Sequence, residues 1–170
     1  MILSAGLERL RAGSALAGAD LAWTEELPEP ARELLCHERD MTSTLARFHG
    51  AEIALECLRV VREEDFYGRE VVLKAGGRVV EYGLIEIRLA AFPEDLRERI
   101  LAGREPLGAI LNGSGRRYVS APVGFLEVRG FRVDVFPSFE VCFGRVNQLS
   151  WDTGEVLAHI VEILPEFDVD

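Results

Sequence analysis

Two charges fall in rows that are otherwise apolar. In Phe66–Lys74, Arg69 is in phase with Tyr67, Val71 and Leu73. Near the end of the chain, Glu162 is in phase with Val156, Ala158, Ile160 and Leu164. Alternate residues of a strand share a face, so each charge is aimed at the side that the apolar residues bury. A buried charge is costly unless it is paired and hydrogen-bonded. Arg69 and Glu162 therefore either form a structural ion pair or line a pocket that takes a ligand of complementary charge. Arg145 shares its row with Val141, Phe143, Leu149 and Trp151, a less apolar row because Asn147 is also in it. Glu70, on the other side of Arg69's strand, is in phase with Val72 and Lys74.

The 170 residues carry a net charge of −10, and of the 19 cations only Lys74 is lysine, leaving 19 − 1 = 18 arginines. A field of that sign repels phosphate backbones and anionic lipid, so neither nucleic acid nor a membrane surface is an expected partner. Arginine suits planar, bidentate binding of carboxylates and stays charged when buried. The expectation is a small organic anion held by a few local arginines. Cys36, Cys57 and Cys142 are far apart, as are His37, His49 and His159, so no metal site and no disulfide framework is indicated. Gly113-Ser114-Gly115-Arg116-Arg117 lacks the lysine and the strand-to-helix setting of a phosphate loop and reads as a mobile loop. No signal peptide and no membrane-spanning run is read, which makes the cytoplasm the expected location.

These residues need a scaffold. Leu3, Leu7 and Leu10 predict a short helix within Leu3–Ala17, and Pro30 opens another through Leu35. Asp40 is placed to cap a helix carrying Met41, Leu45 and Phe48, stopped by Gly50. Ile53, Leu55 and Cys57 alternate as in a strand, and Phe66–Lys74 with Arg78–Leu89 forms a hairpin around Gly76-Gly77. Pro93–Ala102 reads as a charged helix closed by Gly103, and Pro106 starts a further helical piece. Strands are predicted at 118–128, 131–136, 139–151 and 155–164. Neighbouring hairpins of this kind predict a single α+β domain over 1–170, an antiparallel sheet with helices packed on one side.

Five segments, in order, resemble the chorismate lyases. They are the Leu34–Thr42 run ending in Met41-Thr42, the hairpin strand Tyr67-Gly68-Arg69-Glu70-Val71-Val72-Leu73, and Pro106-Leu107-Gly108 before Ile110-Leu111. The last two are Phe143-Gly144-Arg145 and the closing Val161-Glu162-Ile163-Leu164-Pro165. The resemblance covers roughly residues 30–165 and points to the compact bacterial and archaeal branch. It implies a chorismate lyase-like fold with an internal ligand cavity and no metal or cofactor. It further implies a lyase that eliminates pyruvate from chorismate to give 4-hydroxybenzoate. By the same resemblance Arg69 anchors the ring carboxylate, Glu162 contacts the ring hydroxyl, and Met41, Thr42 and Leu107 close over the ring. Arg145 and Arg117 are the candidates for the second carboxylate. The alternative is a non-catalytic module of the same fold that binds or senses a small aromatic acid. Oligomeric state is open.

Overall fold

A computed structural model describes residues 2–136 and 140–165. Its frame is a seven-stranded, wholly antiparallel sheet. The strands are β1 (Asp20–Thr24), β2 (Ile53–Glu63), β3 (Phe66–Ala75), β4 (Arg78–Ile87), β5 (Tyr118–Arg129), β6 (Val141–Trp151) and β7 (Val156–Leu164), in the spatial order β1-β5-β6-β7-β4-β3-β2. Two meanders, β2-β3-β4 and β5-β6-β7, thus meet at the β4–β7 pair. The α+β antiparallel architecture expected from the sequence is the one found, and it is a chorismate lyase-like fold.

The helices α2 (Ala31–Leu35), α3 (Met41–His49), α4 (Glu94–Ala102) and α5 (Leu107–Gly113) cover one face. Helix α1 (Ala5–Ala12) lies against the other, where Leu7 and Leu10 pack with Tyr82, Leu84, Val161 and Ile163. The capping expected for α3 is present. Asp40 accepts the Ser43 amide at 2.8 Å, and Gly50 ends the helix at φ 62°, a left-handed conformation that favours glycine.

Two details differ from the expected elements. Residues 131–136 form a turn closed by an isolated Val133–Phe136 bridge, because Phe131 and Phe136 fold inward onto Tyr82, with ring centroids 4.7 and 6.4 Å away. Strand β1 was not anticipated. It pairs only with β5, and as an edge strand with little burial it lacks the apolar alternation that marks the others. Helix α1 is the short helix expected within Leu3–Ala17, its C-cap falling at Gly13. The first residues of the span 139–151 lie partly outside the described residues, and β6 is described from Val141.

Candidate functional site

Register determines which charges meet. Across the sheet, Arg145 on β6 faces Glu162 on β7, which faces Gly83 on β4, which faces Val71 on β3. Arg69 belongs to a different row, beside Ile85, then Ile160, then Asn147. Glu162 is therefore paired with Arg145 and not with Arg69, and the Arg145 Nε donates directly to its carboxylate. Both arginines are fully buried.

Each arginine also holds down a connection between helices. The terminal nitrogens of Arg145 donate to the carbonyls of His37 at 2.9 Å, Arg39 at 3.1 Å and Leu35 at 3.4 Å, tying the α2–α3 link to the sheet. Those of Arg69 donate to the carbonyls of Glu105 at 3.2 Å and Ile100 at 3.4 Å, tying the end of α4 and the α4–α5 link. The Arg69 Nε has no hydrogen-bond partner. The guanidinium groups thus act as pins, each fixing one of the two links that lead into α3 and α5.

Between those pins lies a cavity of about 40 Å³. Val71, Leu73, Ile85, Leu149 and Ile160 supply apolar wall, and Met41, Thr42, Leu107 and Gly108 bring the starts of α3 and α5 over it. The two helix starts are in close contact, since a β-carbon on Gly108 would be only 3.0 Å from an Asp40 carboxylate oxygen. Gly83 leaves the floor open between Glu162 and Val71, because a β-carbon there would lie 3.3 Å from Val71 Cγ2.

Among the described residues the polar lining consists of Asp40, Thr42, Glu81, Asn147 and Glu162, with no arginine, lysine or histidine. Glu81 and Asn147 are buried, at 4% and 1% exposure, and each aims an acceptor with no partner, Oε2 of Glu81 and Oδ1 of Asn147. The Nδ2 of Asn147 is used, donating to Ser120 Oγ at 2.9 Å. Burial, followed by repulsion from Glu162, holds the Glu81 carboxyl well above the usual carboxylate range, with Arg145 opposing and Asp40 adding to the shift. Burial also raises Glu162, partly offset by Arg145. The Ser43 amide at the start of α3 is satisfied by Asp40.

Of the residues singled out from sequence, Met41, Thr42, Leu107 and Glu162 are brought together around the cavity, and Arg145 stands behind Glu162. Arg69 flanks the cavity without lining it. Arg117 lies elsewhere, in an open groove with Trp151, Asp152 and Ala91. Glu81 was missed. The signal was present, because Glu81 is in phase with Gly83, Ile85 and Ile87, and phase picks out a charge on an apolar row in β4 as it does in β3 and β7.

No protein family matches the chain, and no curated protein does. Solved structures do match in fold. PhnF from Mycobacterium smegmatis is 12% identical with a TM-score of 0.54, over 76% of this chain and 65% of that one. The chain thus spans about 65% of the PhnF chain's length. The separately solved effector domain of PhnF is 13% identical with a TM-score of 0.51, over 75% of this chain and 88% of that one. A GntR-family transcriptional regulator from Bacillus cereus is 10% identical with a TM-score of 0.49, over 71% and 99% of the two chains.

These findings correct the expectations drawn from the resemblance. These neighbours are PhnF, its effector domain and a transcriptional regulator rather than lyases, so they do not support assignment to the chorismate lyase family or to a pyruvate-eliminating enzyme. The exclusion of nucleic acid falls as well, since the partners of such regulators include DNA. Net charge describes a chain's own field and not the assembly in which it works. Among the described residues no helix is long and apolar enough to cross a membrane.

Proposed function

We propose that this domain is a non-catalytic module that binds a small molecule in the cavity beneath α3 and α5 and reports its presence, as part of a transcription regulator. The observation that carries the reading is the cavity itself, apolar over most of its wall, with buried acceptors left unpartnered in it. Buried polar groups are nearly always satisfied within a protein, and those that are not mark places where something else completes them. Pockets with an apolar wall and a few convergent polar groups are the usual form of small-molecule sites. Likeness in fold to the effector domain of PhnF supports a sensing role.

The geometry also supplies a way to report. Met41 and Leu107 stand at the starts of two helices whose preceding links are held by Arg145 and Arg69. A ligand entering between them shifts the balance between positions of these helices by its difference in affinity for each. The nucleic-acid contact belongs in this reading to the regulator's DNA-binding part.

Melting the 170-residue chain against a panel of small metabolites tests the reading. At least one compound should raise the melting temperature in a concentration-dependent way. The same compound should lose its effect on Thr42→Trp, which fills the mouth from a half-buried position. If no compound stabilises the protein, or if Thr42→Trp responds as strongly as the parent, the cavity is not a ligand site.

A further inference from the structure

The chemistry of the lining specifies the ligand more closely, given the reading of the cavity as a ligand site. We infer that the cavity takes a small ligand with a cationic hydrogen-bond donor, an ammonium, amidinium or guanidinium group, on a compact apolar body, and that it rejects carboxylates.

Three observations converge on this. Both unpartnered polar atoms in the wall, Glu81 Oε2 and Asn147 Oδ1, are acceptors and call for donors. The second comes from an uncharged side chain, so the need for donors does not rest on acidity alone. The charges around the cavity are Glu81 on β4, Glu162 on β7 and Asp40 before α3, with Arg145 on β6 paired to Glu162 and Arg69 on β3 flanking the wall, three acids against two bases. Arg145 is already committed to Glu162 and to three carbonyls, so it has little left to offer an anion. The remaining wall, with Leu55, Val71, Ile85, Leu149 and Ile160, suits an apolar body.

An anionic ligand would add a negative charge to a buried, water-poor space that already holds excess acid, where like charges repel strongly. A cation does the reverse. It supplies the missing donors and relieves the repulsion between Glu81 and Glu162. Burial and Glu162 raise the proton affinity of Glu81, and a bound cation lowers it, so affinity for the cation rises with pH.

Three probes of one shape separate the classes: isobutylammonium, isobutanol and isobutyrate. They are titrated into the whole chain by methyl NMR, following the shifts of Leu107 and Ile160. Isobutylammonium should bind at least about tenfold more tightly than isobutyrate, the effect of one charge-assisted hydrogen bond. Glu81→Gln should weaken isobutylammonium about tenfold while changing isobutanol less than about twofold. Equal or tighter binding of isobutyrate, or no effect of Glu81→Gln on the ammonium, overturns the inference and leaves the sensing module intact. If none of the three moves the cavity methyls while some other compound stabilises the chain through Thr42, the ligand class is wrong and the ligand site stands. If nothing binds by either test, both fall.

Discussion

Strands β3 and β4 bury a glutamate on each face of the sheet, and the two are treated in opposite ways. On the α1 face, Glu70 is 6% exposed and fully engaged. Its Oε1 accepts from the Tyr82 hydroxyl at 2.7 Å and the Ala15 amide at 3.0 Å, and its Oε2 from Arg59 Nε at 3.3 Å. Arg59 in turn donates to the Leu10 carbonyl at 2.6 Å, so the group staples α1 to the sheet. On the cavity face Glu81 is buried to a similar degree, yet its Oε2 meets nothing. One face carries a finished network; the other carries a network with a part missing. Burial of charge alone does not separate structure from function, but satisfaction does.

The largest break in this comparison is Arg145→Met. It removes the only cation among Glu81, Glu162 and Asp40 and frees the α2–α3 link. Loss of one partner of a buried pair costs about 3–5 kcal/mol, because the other charge stays buried. Urea unfolding should show that loss, and Arg145→Met with Glu162→Leu should recover a good part of it. A single variant within about 1 kcal/mol of the parent would mean that the pair is open to water.

Next in size is the finished network. Glu70→Ala strands the Tyr82 hydroxyl and the Ala15 amide, a loss of about 1–3 kcal/mol. Tyr82→Phe removes only one donor and should cost about 1 kcal/mol. Because the two residues share a bond, the double variant should cost less than the sum of the singles. Strict additivity would show that the network is not a unit. Neither change touches the cavity, so ligand binding should persist in both wherever the fold does.

The sequence made much of this frame legible. Strand phase exposed Arg69, Glu162 and Arg145, and cap residues marked α3 and α4. What phase cannot supply is register. Nothing in the spacing of residues 69, 145 and 162 shows that β7 pairs with β6 and β4, and that pairing gives Glu162 to Arg145. The commitment of guanidinium groups to loop carbonyls was equally hidden, because any backbone carbonyl can accept and no residue type announces it. The buried arginines spend their terminal nitrogens on the protein's own carbonyls, a use that an abundance of arginine in the sequence does not reveal. Glu81 shows the opposite failure, a legible signal on a strand whose phase was not followed.

Glu81→Gln has the smallest expected effect, and its sign is opposite to the others. The folded protein raises this carboxyl above 4.5, the value it has when solvated, mainly through burial and then through Glu162. Between those two values the folded state holds a proton that the unfolded state has released, so stability falls as pH climbs through the window. Below it the carboxyl is neutral in both states and costs nothing. Glutamine keeps the shape, cannot ionise, and removes a repelling neighbour from Glu162. The variant should therefore match the parent below pH 4.5 and melt higher than it at alkaline pH, with a flatter profile between. The same substitution at Glu70 should be destabilising, because a carboxylate with three donors loses an acceptor when it becomes an amide. If Glu81→Gln instead lowers the melting temperature at alkaline pH, Glu81 is a satisfied structural acid like Glu70, and the contrast between the two faces disappears.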